Sequence, residues 1–501
     1  MEPLFIMTHG PVKPNPVGLA MSVLRRCKAF SKHGIKHTLL VNDHYVDFEA
    51  SVAALRKNGD LDQGTFVRYM HNDLAGDSGA DDRSDVDVMA LGDEYTVIDD
   101  NSNPSISRVY TQGKYVMFAW SQKGRVVFID SLVDGTRVKR TAYDSKGYTR
   151  KVERIGHDNK PVQTDYYGRG GNLYLSNYTG SRGDGSKALL ELFIPSGSIS
   201  FGSTGELIAH WLQAFVLPAD ERSSLISEYG FFRRSLQDLQ KVLPGLRVIY
   251  TLHNNHLTGS NRYGAPVKRE LLDFFNHIHE YDAVVVLTDD QKNDILKQFY
   301  PVNNITVIPH HTVEDLPADA DRDPYRVVLL GRYAEHKGQI DAIQAFRQVV
   351  DHFPLAHLEL YGRGPMEDAM RTEIEAQGLS ENVRIMGFSN GSREVYSRAS
   401  IGLFPTLYEG FGLSIQESMQ YGCVPIAYDS KYGIRALIRD GVDGLVIDRS
   451  NVNELAASIL LLLRNDKLRV QLASECPSVY ERFSEKFVVD KWTILLQDIH
   501  A

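Results

Sequence analysis

The stretch Leu403-Phe-Pro-Thr-Leu-Tyr-Glu409-Gly-Phe-Gly-Leu-Ser414-Ile-Gln-Glu417 most constrains what this chain can fold into. It runs from an apolar strand through a glycine-flanked loop into a helix, with two carboxylates eight residues apart across the helix N-terminus. Such a terminus carries unpaired N–H groups and a partial positive charge, which suit a phosphate. A second strand-to-loop junction, Val327-Val-Leu-Leu-Gly331-Arg332-Tyr-Ala-Glu-His-Lys337-Gly338, adds two cations to a phosphate-compatible turn. Cations for a diphosphate and carboxylates for sugar and ribose hydroxyls together describe a sugar-nucleotide site.

The rest of the chain supplies the frame. Its 501 residues suffice for two or three domains, and 43% apolar content for ordinary cores. A net charge of −9 argues against general nucleic-acid binding. Cys27, Cys423 and Cys476 show no disulfide or zinc spacing, which points to a reducing interior. The N-terminus reads as a first buried strand over 4–8 rather than a signal peptide, and no eighteen-residue apolar run spans a membrane. A helix over 19–33 and a strand over 36–41 follow, the βαβ logic of a parallel sheet. Residues 72–100 are acidic and turn-rich, and alternating runs with Gly or Asp-Gly turns from Arg108 to about Ser200 signal an antiparallel meander. Helical periodicity returns near Gly205, then buried-type strands at 247–252, 283–287 and 305–308. Pro309 to Pro324 reads as a polar linker, and a second α/β domain begins near Tyr325. The expected domains are therefore 1–71 with 206–312, an inserted β-sheet domain at 72–205, a second α/β domain at 325–483, and a helix at 484–501 that crosses back to the first.

Each motif has a plainer reading beside the chemical one. Ser414-x-x-Glu417 also fits a capping box, but Glu409 ends a strand, where open α/β sheets bind ligands. Arg332 and Lys337 on one loop are scattered surface cations or, beside Glu409, a stabiliser of a leaving diphosphate. Tyr361-Gly-Arg-Gly364-Pro is a tight turn or a phosphate contact, and Gly18 at the first helix has the same ambiguity. His253, with His256 three residues on, ends a strand; a hydroxyl contact or a structural role suits it better than a metal. The Asp-x-Asp pairs 85/87, 319/321 and 321/323 follow no buried strand and read as solvated turns.

Gly331-Arg332…Lys337-Gly338, Tyr361-Gly-x-Gly-Pro and Glu409-x7-Glu417 resemble the retaining glycosyltransferases of family 4. The N-terminal half is similar to Gram-positive wall teichoic acid α-glycosyltransferases, through Met7-Thr-His-Gly, Leu55-Arg-Lys-Asn-Gly-Asp60 and the inserted sheet. The resemblance implies the GT-B fold: two Rossmann-like domains facing a cleft, with the antiparallel insertion in the N-terminal half. It implies transfer of glucose or N-acetylglucosamine from a UDP-sugar to poly(glycerol/ribitol phosphate), with no metal or other cofactor, the UDP-sugar being a co-substrate. Arg332 and Lys337 would hold the diphosphate, Glu409 the donor sugar and Glu417 the ribose, with His253 near the sugar and the acceptor. Gly18, Gly331, Gly387 and the loop Gly410, Phe411, Gly412, Leu413, Ser414 would line the donor site. It also implies a cytoplasmic homo-oligomer, often trimeric, working at the inner face of the membrane, with no nucleic acid.

Between Arg108 and Lys160, twelve Lys/Arg stand against five Asp/Glu. A polyanionic acceptor would be drawn to that field, with Arg137, Lys139 and Arg140 as its contacts; a solvated sheet face is the plainer reading. Two rivals remain: a protein O-glycosyltransferase for serine-rich substrates, and a non-catalytic GT-B subunit. The second should have lost the cations or carboxylates, and all four are present.

Overall fold

Ala283–Val286 and Ala399–Phe404 are buried along their whole length, as strands covered on both faces must be. The computed structural model describes residues 2–8, 12–14, 16, 18–77, 83–179, 189–228, 232–259, 262–313, 321–389 and 391–501. His9, Gly10, Asp81, Asp82 and Asp319 lie outside the described residues. Two compact units divide the chain: Met1–Pro16, Lys36–Ser223 and Phe231–Leu246 form one; Val17–Ile35, Ser224–Gly230 and Arg247–Ala501 form the other.

In the first unit, Leu4–Thr8, Thr38–Val41 and Phe66–Tyr69 pair in parallel. The helix Met70–Ala75 follows, and the Trp211 indole donates to Asp73 at 2.7 Å. From Tyr95–Asp99 to Gly197–Phe201, ten described strands form an antiparallel meander, each beside its neighbour in sequence. Its first hairpins turn on Gln112-Gly113, Lys123-Gly124 and Asp134-Gly135, with both residues of each pair at positive φ. Two-residue turns of that hand match the twist of the flanking strands.

In the second unit, Leu246–Leu252, Ala283–Val286 and Ile305–Val307 pair in parallel. A six-stranded parallel sheet follows in the order Val383–Gly387, His357–Tyr361, Asp323–Leu330, Ala399–Phe404, Val424–Tyr428, Leu445–Ile447. Helices cover it, and its core is a single apolar cluster. The final helix, Glu485–Asp498, sets Trp492 edge-on to Phe30 of the Leu19–Lys32 helix, with ring centroids 6.1 Å apart.

The polar linker expected at Pro309 to Pro324 is not one along its described length. Pro309 and His311 are buried, Thr312 N–H bonds the Phe483 carbonyl, and Asp323 already belongs to a strand. Proline and polar residues there serve packing, which composition alone does not reveal. Among the described residues, no helix is long and apolar enough to cross a membrane.

Candidate functional site

Strand order in the six-stranded sheet locates the site. From Asp323–Leu330 the chain steps outward through His357–Tyr361 and Val383–Gly387, then returns to the other side of its first strand at Ala399–Phe404. Ligands of open α/β sheets bind where the order reverses, beyond the carboxyl ends of the strands. The loops leaving those two strands carry Arg332 with Lys337, and Glu409. Lys337 Nζ lies 2.5 Å from Glu409 Oε1, with side chains 21% and 14% exposed. Arg332 is exposed and, among the described residues, has no ion pair.

The Glu409 loop is held by backbone. Glu409 N–H donates to Lys431 O, and Tyr432 N–H donates to Glu409 O. A Cβ on Gly410 would stand 1.9 Å from the His253 carbonyl oxygen, so only glycine lets these loops touch. Gly412, at φ +100, caps the Leu413–Gln420 helix. The capping box does not form: Glu417 lies a turn inside that helix, and its Oε1 accepts from Arg25 Nη2 at 2.6 Å. Phe411 is buried between His310 and Phe483, edge to face with both. Leu413 and Ser414 are half-buried in the helix's first turn. Gly331 and Gly387 close the adjoining turns: Gly331 N–H bonds Tyr361 O, and Gly362 N–H bonds Gly387 O. Gly18, exposed at φ +55, caps the Leu19–Lys32 helix.

His253 and His256 diverge. His253 Nε2 lies 2.5 Å from Glu228 Oε2, which also accepts from Thr251 Oγ1 at 2.9 Å, while Arg26 pairs with the other oxygen of Glu228. Burial, then the Arg26 charge, pulls the His253 imidazole down to about 3. The ring is therefore neutral, and its contact with Glu228 assigns the proton to Nε2. His310 stacks on His253 at 5.6 Å and 7°, and its carbonyl accepts from Gln416 Nε2 at 3.0 Å. His256 instead packs among Phe275 and Tyr432, fully buried. Arg25, Arg26, His253, His310, Leu413 and Trp492 help to line a small pocket.

The structure thus brings together Lys337, Glu409, Gly410 and His253, and joins Glu417 to a helix that begins at Gly18. It does not gather Arg137, Lys139 and Arg140 into one track. Register shifts in the strand Thr136–Tyr143, with Leu132 opposite Arg137 but Ser131 opposite Lys139. That bulge turns Arg137 and Arg140 toward Asp130, at 3.5 and 2.7 Å, and leaves exposed Lys139 opposite Ser131 and Arg154. Sequence reasoning missed Glu228, Arg25, Arg26 and His310. Glu228 directly follows the buried strand Ser223–Ser227, whose serines give it no apolar run to mark its end.

Residues 314–477 match the family model described as glycosyl transferases group 1. The chain is 24% identical over 518 residues to the poly(glycerol-phosphate) alpha-glucosyltransferase of Bacillus subtilis (strain 168), spanning 99% of this chain and 75% of that one. It is 24% identical over 504 residues to the poly(ribitol-phosphate) alpha-N-acetylglucosaminyltransferase of Staphylococcus aureus (strain COL), spanning 98% and 99%. A solved S. aureus TarM variant, crystallised with Fondaparinux, alpha-GlcNAc-glycerol and UDP, has a TM-score of 0.84 at 22% identity, with 99% of each chain covered. Residues 314–477 thus carry the match to glycosyl transferases group 1, and the chain has the GT-B fold and is similar along its whole length to transferases named for polyol-phosphate polymers.

Proposed function

We propose that the protein moves glucose or N-acetylglucosamine from a UDP-sugar onto hydroxyls of a poly(glycerol/ribitol phosphate) wall teichoic acid, with retention of configuration. The observation that carries this reading is the near-complete alignment with both a poly(glycerol-phosphate) and a poly(ribitol-phosphate) transferase. The Lys337–Glu409 pair beside unpaired Arg332 at the switch point supports it.

In this reading the diphosphate engages Arg332 and Lys337, and the donor sugar's hydroxyls take Glu409. Arg can grip two oxygens while Lys acts as a point charge, so the two neutralise the departing UDP. The anomeric carbon–phosphate oxygen bond breaks as the acceptor oxygen bonds the same face of that carbon. The acceptor proton passes to the leaving phosphate oxygen. Neutral His253 borders the sugar without competing for that proton, and Glu417 reads the ribose. The two cations supply the charge that a divalent metal supplies elsewhere, so the reading needs none. It sets the enzyme at the inner membrane face, as a homo-oligomer.

The test is a screen of UDP-sugars for thermal stabilisation, followed by transfer to defined acceptors, with the anomer read by NMR. Stabilisation by UDP-glucose or UDP-GlcNAc and an α-linked product on polyol phosphate are expected. Transfer to a serine-rich peptide with none to polyol phosphate would refute the acceptor class.

A further inference from the structure

A half-buried cation beside the Lys337–Glu409 pair has no role in the account above. Lys268 ends the loop that begins at His253: its N–H bonds the His256 carbonyl at 2.9 Å, and a bridge between Leu257 and Val267 fixes its approach. Lys268 Nζ lies 5.3 Å from the centre of the Tyr408 ring. The His336 ring stacks on the same tyrosine at 4.7 Å and 13°. Tyr408 precedes Glu409 and His336 precedes Lys337, so Lys268 reaches the rim of the reaction site from the His253 side.

The lysines around it are neutralised. Lys337 pairs with Glu409, and Lys431 pairs with Asp290 at 2.6 Å and Asp294 at 3.3 Å. Lys268 has no carboxylate partner among the described residues; burial lowers its pKa, and the charge of Glu270 opposes that shift. A partly desolvated cation without a counter-ion is costly unless an anion completes it. Arg332 and Lys337 already account for the two phosphates of a nucleoside diphosphate, and both come from the sheet that carries Glu409. Lys268 comes from the loop on the other side, where the acceptor would approach.

We propose that Lys268 binds a phosphodiester of the acceptor next to the hydroxyl that is glycosylated, and so selects a polyol-phosphate chain over an uncharged polyol. This rests on the acceptor class proposed above. A polyol phosphate carries its charge within a few bonds of each hydroxyl, so one fixed cation sets both register and preference. The Tyr408 ring, backed by His336, meets the ammonium without neutralising its charge.

The experiment compares wild type, Lys268→Met and Lys268→Arg on a short glycerol-phosphate oligomer and on free glycerol at saturating donor. Calorimetry with UDP and a thermal melt are run on each protein. Lys268→Met is expected to raise KM for the oligomer about tenfold and to cut the oligomer-over-glycerol preference by the same factor. Lys268→Arg should recover most of both. An equal loss on both acceptors, or a comparable weakening of UDP, would overturn the proposal and move Lys268 to the donor side or to the scaffold. If wild type binds UDP but glycosylates neither the oligomer nor longer polymer, the acceptor class itself falls, which separates the two failures.

Discussion

Arg25 Nη2 stands 2.6 Å from Glu417 Oε1, joining the first helix of the second unit to the helix behind the Glu409 loop. Both side chains are largely shielded, at 16% and 14% exposure, so the pair is screened less by solvent than a surface ion pair, and removing one partner leaves the other charge uncompensated. With one oxygen fixed by Arg25, Glu417 has the other to offer, on the proposed reading, to a ribose hydroxyl. Glu417→Ala should weaken UDP about tenfold by calorimetry, and Arg25→Met should weaken it less. Adding Arg25→Met to Glu417→Ala should change little further, because the arginine acts through the carboxylate. Additive losses would show that Arg25 touches the nucleotide directly.

The Lys337–Glu409 pair should behave as one device. On the proposed reading, Lys337→Ala lowers kcat by about a hundredfold or more, since it removes charge stabilisation from the departing diphosphate. Glu409→Ala should lower it too, and the double variant should fall well short of the product of the two losses. Steady-state kinetics on the four proteins test this; strict multiplicativity would mean that the two act independently.

At Gly410 the expected effect is mechanical. An added methyl would meet the His253 carbonyl oxygen at 1.9 Å, and that partner is backbone. Gly410→Ala should cost about 1–3 kcal/mol in urea unfolding and disturb activity more than stability implies. A variant of wild-type stability and rate would mean the loops part easily.

Acid should destabilise the second unit. Burial depresses His253 to about 3 and His256 to about 4, from an ordinary value of 6.5, and holds His310 well below it. Above pH 6.5 these rings are neutral whether folded or not. Below it the unfolded chain takes up protons that the folded rings refuse, so stability is lost as pH falls toward 4 and then 3. The cost is about 1.4 kcal/mol per pH unit for each histidine in that window. Urea midpoints at pH 7.0, 5.5 and 4.5 should fall in that order, and His256→Phe should flatten the slope.

The sequence shows its site where strands end in glycine and charge. Glu409, Arg332 and Lys337 follow buried apolar runs, and their order along the chain already implies a parallel sheet. Glu228 escapes notice because three of the five residues of Ser223–Ser227 are serine, so the strand lacks the apolar run that would flag its end. Phe66–Tyr69 hides likewise, with Arg68 inside it and Phe66 64% exposed. Arg25 and Arg26 look like surface charges of an amphipathic helix, since their partners lie some hundreds of residues away. The bulge that parts Lys139 from Arg137 and Arg140 carries no glycine or proline to announce it. What periodicity records is local; what it omits are pairings fixed only when distant segments meet.

The glycine contacts around the Glu409 loop have a broader consequence. Gly410 abuts the His253 carbonyl, and a Cβ on Gly433 would stand 1.6 Å from Phe411 O, so main chain rests on main chain on both sides. A joint built without side chains cannot be re-cut by exchanging them. The approach of the Glu409 and His253 loops is therefore set by main chain and survives changes in the side chains around it.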